Sequence, residues 1–323
     1  MQPPYTITPK ILRLLTSISE KIGAANALHV NKPSPQLRKQ NKIKTIQASL
    51  QIEGNTLSVE QVTALIENKP VIGPKKDITE VLNAIKAYEE LNKFSSHNEK
   101  SFLKAHQLLM QNLVAHAGNY RRSQVGITKG TVVAHLAPPP ANVRFLMKQL
   151  FHYLKKSKEV PLIKSCVFHY EMEFIHPFTD GNGRLGRLWQ TLILKEHYPI
   201  FEFLPFETLI QKNQKRYYKA LMKSDQLGHS TPFIEFMLQV IDTALDALLN
   251  QKIHPLKSID RIHYFLDSHK GKFSRKEYLS TFKNLSTATA SRDLKKATDL
   301  KLVKRVGKDN TTHYMAFIKK TLK

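Results

Sequence analysis

The sequence holds one cysteine, Cys166, and one tryptophan in 323 residues. A single cysteine excludes an intramolecular disulfide framework and any multi-cysteine zinc site. Because Cys166 lies in the mostly apolar run Ser165 to His169, it reads as a small buried hydrophobe and not as a nucleophile. No window approaches eighteen consecutive apolar residues, and Met1 to Lys10 has no apolar stretch behind a basic start. Neither a transmembrane helix nor a signal peptide is legible, and the expected location is the cytoplasm, with no membrane partner. The chain also lacks a Gly-x-x-x-x-Gly-Lys-(Ser/Thr) loop, a kinase signature set and a His-Glu-x-x-His motif. A bound nucleotide must therefore be held by some other nest of backbone donors. Among the 14 histidines, the pairs His97 with His106 and His169 with His176 lack a ligand spacing. Most read as surface or capping residues; for His169, seven before His176, a part in positioning the loop is one reading and a satisfied buried histidine the favoured one.

Acidic residues are scarce too: 26 Asp and Glu face 50 Lys and Arg, a net charge of +24. Such a surplus attracts a polyanion, whether nucleic acid, an acidic partner or nucleotide phosphates. Its distribution is uneven, since residues 256–323 carry 17 basic and 6 acidic side chains.

What is abundant is apolar residues, 41% of the chain, at helical spacing. They recur every three or four positions over 11–22, 43–52, 78–91, 102–113, 143–154, 163–174, 185–194 and 234–249, which predicts a mainly α fold. Gln124 to Leu136 interrupts the pattern with Val, Ile and Thr around Lys129-Gly130, a small β-hairpin, and Ala137-Pro138-Pro139-Pro140 ends it. After Gln251 to Pro255 come helices over 258–268, 275–282 and 287–298, then strand-like runs over 302–306 and 311–317 around Gly307 to Asn310. Three short helices and a hairpin describe a winged helix. The expected organisation is an N-terminal helical region over 1–100, a core over 101–250, and a C-terminal winged-helix domain over 256–323.

Chemistry concentrates in His176-Pro-Phe-Thr-Asp-Gly-Asn-Gly-Arg-Leu-Gly-Arg187. Pro177 disfavours helical geometry at His176, so a helix ends there and the imidazole opens a loop. Gly181 and Gly183 permit close backbone approach, and a helix starting near Arg184 adds free N–H groups and a positive dipole end. Arg184 and Arg187, three apart, share a helix face and can lean back toward the loop. A general base (His176), a hard-metal ligand (Asp180), a glycine nest and two arginines are the parts of phosphoryl or nucleotidyl transfer.

This segment resembles, at every fixed position, the Fic family signature His-x-Phe-x-(Asp/Glu)-Gly-Asn-Gly-Arg-x-x-Arg. The likeness covers about residues 40–245: Gly118-Asn-Tyr-Arg-Arg-Ser-Gln-Val125 with the hairpin and Pro138 to Pro140 is similar to the family's flap, and Tyr217-Tyr218 lies where the family places a nucleotide-facing tyrosine pair. The resemblance implies a helical Fic-type core with a β-hairpin flap, and transfer of AMP from ATP to a Ser, Thr or Tyr hydroxyl of a target protein, with Mg²⁺. In that reading His176 takes the proton from the hydroxyl and Asp180 holds Mg²⁺. Asn182, Gly183 and Arg184 cradle the phosphates and Arg187 binds the γ-phosphate. Thr128, Gly181, Leu185 and Gly186 complete the nucleotide site, with Tyr217 and Tyr218 beside the base, where some relatives have an asparagine at the place of Asp225. Phe178 anchors the loop in the core, and the flap captures the target backbone by strand addition. The same site also admits transfer of another phosphate-containing group, or removal of AMP.

Upstream, Ser49-Leu-Gln-Ile-Glu53-Gly-Asn55 looks like the family's inhibitory helix, over about 43–53. Ser49 and Glu53, four apart, share one helical face, and Gly54 can end the helix. The resemblance implies that Ser49, Glu53 and Asn55 restrain the enzyme, with Glu53 able to form a bidentate contact to Arg187. The tail resembles winged-helix domains behind bacterial Fic cores. Ser286 to Thr298 reads as a recognition helix, with Thr289, Arg292, Lys295 and Lys296 on its polar side and Lys304, Arg305 and Lys308 in the hairpin as phosphate contacts, which makes residues 286–308 a candidate DNA contact. A nucleotide-sensing DNA-binding regulator and a homodimer stay open at this stage.

Overall fold

A computed structural model describes residues 3–27, 35–129, 132–250, 258–269, 271–282, 285–307 and 312–316. Contacts divide the chain into two compact units, a larger one of Met1–Asn31 with Lys39–Leu249 and a smaller one of Lys32–Arg38 with Asn250–Lys323.

The larger unit is helical: α1 (Pro9–Ala27), α2 (Pro35–Ile52), α3 (Val59–Ile66), α4 (Lys75–Glu89), α5 (Glu99–Met110), the hairpin β1 (Gly126–Lys129) and β2 (Val132–Leu136), then α6 (Pro140–Lys156), α7 (Pro161–Ile175), α8 (Asn182–His197), α9 (Glu207–Lys212), α10 (Gln214–Leu227) and α11 (Thr231–Asn250). All eight helices expected from the apolar spacing are present. The spacing missed α3, α9 and α10, two of which are too short to carry a stripe, while α10 buries only Tyr217, Ala220 and Ser224. In the hairpin Gly126 pairs with Leu136 and Lys129 with Val132, with an irregularity between Ile127 and Thr128.

Two helices are apolar on nearly every side and therefore sit at the centre. α7 hides Cys166, Val167, Phe168 and Met172, and α8 hides Leu185, Leu188, Trp189 and Leu194, all fully buried. They run antiparallel: Cys166 meets Gln190, His169 meets both Gln190 and Gly186, and Glu173 meets Gly186. Their approach depends on Gly186, where a Cβ would lie 2.9 Å from both His169 Cδ2 and Met172 Cε. Phe102 of α5 stands edge-on to Trp189 at 5.1 Å and to Phe151 of α6 at 5.4 Å, which locks α5 and α6 against this pair.

The N-terminal helices belong to the same core. α1 inserts Ile11, Leu14, Ile18 and Ile22 and is tied to α11 by Lys21 Nζ, 2.7 Å from Asp242 and 2.6 Å from Asp246. The second half of α2 buries Ile43, Ile46, Ala48, Ser49, Leu50 and Ile52. One apolar cluster runs from Ile11 to Leu245, so the expected division at residue 100 marks no boundary in it.

The smaller unit follows the order α12 (Ser258–Ser268), β3 (Lys272–Phe273), α13 (Arg275–Thr281), α14 (Thr287–Asp299), β4 (Val303–Val306) and β5 (His313–Ala316). The strands form an antiparallel sheet in the order β3-β5-β4. β3 was not expected, because two residues carry no readable period. Ile262, Phe265, Phe273, Tyr278, Leu294 and Val303 make a separate core. The expected linker at Gln251 to Pro255, Gly130, and the hairpin tip at Lys308 to Asn310 lie outside the described residues. No described helix is long and apolar enough to cross a membrane.

Candidate active site

The antiparallel α7–α8 pair ends in the loop from His176 to Gly181. His176 occupies the C-cap of α7 with φ 49° and ψ 62°, a left-handed conformation that costs a residue with a Cβ roughly 1–2 kcal/mol. Pro177 forbids the helix from continuing, as expected, and Arg121 holds the break in place. Its Nε donates to the His176 carbonyl at 2.7 Å and its Nη2 to Ile175 O at 3.3 Å and Pro138 O at 2.6 Å. A buried cation thus caps the last carbonyls of α7 and ties the base of the hairpin to the loop.

Gly181 has φ 85°, and a Cβ there would lie 2.6 Å from Met110 Sδ, so glycine is required twice over. Phe178 is fully buried, the core anchor expected of it. Asn182 brackets it, its Oδ1 accepting from Phe178 N at 3.0 Å and its Nδ2 donating to Phe178 O at 2.9 Å.

The first turn of α8 carries the anion site. Arg187, fully buried, donates from Nε to Ser49 Oγ at 3.0 Å, and from Nη2 to Ser49 O at 2.8 Å and to Glu53 Oε1 at 2.7 Å. The contact with Glu53 is therefore single and not bidentate, because Ser49 takes the Nε side of the fork. Burial alone would depress the guanidinium; the Glu53 carboxylate outweighs it and holds Arg187 above the usual arginine range. Glu53 Oε1 lies directly over Gly183, where a Cβ would collide with it. Arg187 Nη1 is buried without a hydrogen-bond partner and lies 3.1 Å from that same Cβ position. A helix N-terminus bare of side chain, a buried guanidinium with a donor to spare and a carboxylate resting on both make a pocket for negative charge.

Arg184 is committed differently. Its Nη1 donates to Glu80 Oε1 at 2.8 Å and its Nη2 to Asp180 Oδ1 at 2.8 Å. Glu80 Oε2 accepts from Asn55 Nδ2 at 2.8 Å. Asn55 thus acts two bonds from the arginine and does not touch Arg187's cluster. Asp180 Oδ1 also accepts from Gly181 N at 2.6 Å, and the carboxylate is half exposed. Among the described residues no group of three or more His, Cys, Asp or Glu could hold a metal by itself. One half-exposed carboxylate with an oxygen to spare fits Mg²⁺, which is held by one or two carboxylates, waters and substrate phosphates.

Other expected residues are placed elsewhere. Leu185 is a core residue and Gly186 is the contact point of α7 and α8, so neither side opens to a nucleotide. Tyr217 is buried at 1% exposure, its hydroxyl 3.1 Å from His169 Nε2, so it too belongs to the core. Tyr218 is half exposed, with its hydroxyl 3.4 Å from the Ile52 carbonyl at the end of α2, next to Glu53. Asp225 accepts from Tyr170 OH at 2.9 Å. The side chain of Thr128 lies outside the described residues. His169 is the satisfied buried histidine expected, bound to Gln190 at 2.7 Å and pushed down to about 3 by burial. Cys166 is buried and its thiol pushed up to about 12, again by burial.

Sequence reasoning missed Arg121, Glu80 and His106. His106 Nδ1 accepts from Gly118 N at 2.8 Å, so its proton sits on Nε2 and is donated to Asp180 O at 3.0 Å. Its ring stacks on Phe178 at 3.6 Å, and burial pushes it down to about 4. No spacing signals these roles, since the partners are 74, 104 and 55 residues away.

The model of the Fic/DOC family matches residues 96–194. A Fic family protein from Desulfovibrio desulfuricans G20, known from a crystal structure, is 40% identical and superposes with a TM-score of 0.76 over 99% of each chain. The chain belongs to the Fic family. The protein adenylyltransferase Fic of Drosophila mojavensis is 28% identical over 251 residues, 73% of this chain and 47% of its own length. The Fic chain described here thus spans about half the length of the curated relatives it matches. Fic-1 from C. elegans, 22% identical with a TM-score of 0.60, covers 74% of this chain and 72% of its own and shares the fold.

Proposed function

We propose that the protein transfers AMP from ATP to hydroxyl side chains of a target protein, and that Ser49 and Glu53 restrain the transfer. The observation that carries this reading is the carboxylate of Glu53 resting on Gly183 and Arg187, a site suited to a phosphate and filled by a side-chain anion. His176, at the mouth of the loop, takes the proton of the incoming hydroxyl, whose oxygen attacks the α-phosphorus as pyrophosphate leaves. The backbone N–H groups of the first turn of α8 and the spare donor of Arg187 supply fixed positive charge to the phosphates. Asp180 would hold Mg²⁺, which supplies charge neutralisation on the phosphates when bound. Arg184, held between Glu80 and Asp180, keeps that carboxylate in place. Among the described residues the hairpin strands pair only with each other, and an outer strand edge would take up the backbone of the target without regard to its side chains.

The relatives named protein adenylyltransferase support the reaction class at 28% identity. Incubation with α-labelled or γ-labelled ATP tests it: the α-label is expected on protein and the γ-label is not. His176→Ala should abolish labelling while ATP still binds, because the base acts on the hydroxyl and not on the phosphates. Protein-bound γ-label would replace this reading with phosphorylation, and equal loss of ATP affinity and labelling in the variant would overturn the role of His176.

A further inference from the structure

We infer that residues 258–316 form a winged helix whose α14 docks in the major groove of duplex DNA. The inference is independent of the transfer reaction and rests on the smaller unit alone. The rotation of α14 about its own axis is fixed from inside. Ala290, Asp293, Leu294 and Ala297 are buried, and Asp293 is gripped by Arg261, Nε to Oδ2 at 2.7 Å and Nη2 to Oδ1 at 2.9 Å, with Tyr278 OH at 3.1 Å. The cation beside it holds the Asp293 carboxyl below the usual range even though burial pushes the other way. That bidentate grip turns the opposite stripe, Ala288, Arg292, Lys295 and Asp299, toward solvent, at spacings of four, three and four residues.

The composition of this stripe selects its partner. Its first turn offers small groups, Ser286, Thr287 and Ala288, all exposed, which let a helix approach base edges closely. Arg292, Lys295 and Lys296 follow, also exposed, and the one acid on the face is Asp299 at the last position. The other acid of α14 is turned inward and neutralised. On β4, Lys304 and Arg305 are exposed as well, where a wing meets phosphates. A protein-docking face needs a buried aromatic or aliphatic anchor. The solvent stripe of α14 has none: the exposed large hydrophobics of this unit among the described residues are Leu300, after the helix, and Met315 on β5. A helix of 13 residues is about 20 Å long and fits a groove about 12 Å wide.

The test uses the full chain and a fluorescent 30-base-pair duplex of random sequence, titrated by anisotropy from 50 to 200 mM salt. Arg292→Ala/Lys295→Ala is expected to weaken binding about tenfold at 100 mM and to lower the slope of log K against log salt by about two, one for each lost phosphate contact. Lys155→Ala/Lys156→Ala removes the same charge from exposed positions at the end of α6 and should leave both quantities unchanged. Because a net charge of +24 alone attracts DNA, equal losses in the two variants would overturn the inference. So would polyglutamate competing as well as unlabelled duplex, which would make the face an acidic-protein surface, and so would the absence of binding. Arg292→Gln/Lys295→Gln, with unchanged thermal unfolding, separates lost contact from lost fold.

Discussion

Replacing His106 by phenylalanine keeps a ring to stack on Phe178 and removes both ring nitrogens. The Gly118 N–H and the Asp180 carbonyl then lose their partners, at about 1–3 kcal/mol apiece when buried, so a loss of roughly 3 kcal/mol is expected at pH 7. The sign of the pH dependence follows from the ring itself. Burial pushes His106 from the usual 6.5 down to about 4, so unfolding takes up a proton between those values, and the native protein loses stability as pH falls through that window. The span is roughly 2.5 pH units at about 1.4 kcal/mol each, or about 3.5 kcal/mol. His106→Phe lacks the group, so the gap between wild type and variant should close as pH drops from 6.5 to 4. His169, also depressed, is present in both proteins and cancels. Urea unfolding at pH 7, 6, 5 and 4 reads the gap directly. A gap that stays constant over that range would refute the argument that a neutral His106 clamps the loop. At neutral pH the same variant should also transfer AMP about a hundredfold more slowly, since a shift of about 1 Å in the loop that carries His176 misplaces the base.

Glu53→Gly should raise α-label incorporation strongly at equal ATP occupancy, while the apo protein loses about 1–3 kcal/mol because Arg187 keeps only its Ser49 hydrogen bonds; no rise in a folded variant would end the restraint reading. Arg187→Ala should lower incorporation even in the Glu53→Gly background, and undiminished labelling there would show that Arg187 does not anchor phosphate. Gly186→Ala forces a methyl into contact with His169 and Met172 and should cost about 1–3 kcal/mol in chemical denaturation; a neutral result would mean that α7 and α8 can part without strain.

The fold was legible where the apolar pattern was long, as in α7 and α8. The helix stop at His176 was legible too, because proline chemistry is local. The site was legible as a set of groups and less so as an arrangement. His176, Asp180, Gly181 and Arg187 could be named from one segment, yet the commitment of Arg184 to Glu80 and the clamp at His106 require helices that meet only after folding. Tyr217 shows the opposite error. Its position in the chain resembles a nucleotide contact, but it lies on the face of α10 that packs on His169 and Phe233, and tertiary packing outweighs the local likeness.

The two arginines of the signature solve the problem of a buried cation in opposite ways, and the difference locates where this site can move. Arg184 is 4% exposed between two carboxylates, and Glu80 is itself satisfied by Asn55. Every charge there has an opposite within 2.8 Å, so removing Arg184 would leave the buried Glu80 carboxylate without its cation, at about 3–5 kcal/mol for a buried pair, while removing either carboxylate leaves Arg184 paired with the other. Arg187 hydrogen-bonds one carboxylate, and that carboxylate is 29% exposed and lies just past the end of α2. Its side chain has three rotatable bonds, so a change of rotamer can withdraw the Glu53 carboxylate without unpacking Leu50 or Ile52. The Ser49 contacts to Arg187, made from inside the helix, would stay. On the proposed reading, an incoming phosphate would replace Glu53 on Arg187 Nη2 and engage the spare Nη1 at the same time, exchanging one charge-assisted bond for two. Displacement at Arg187 is feasible for this reason, whereas Arg184 holds the loop and has no such exchange available.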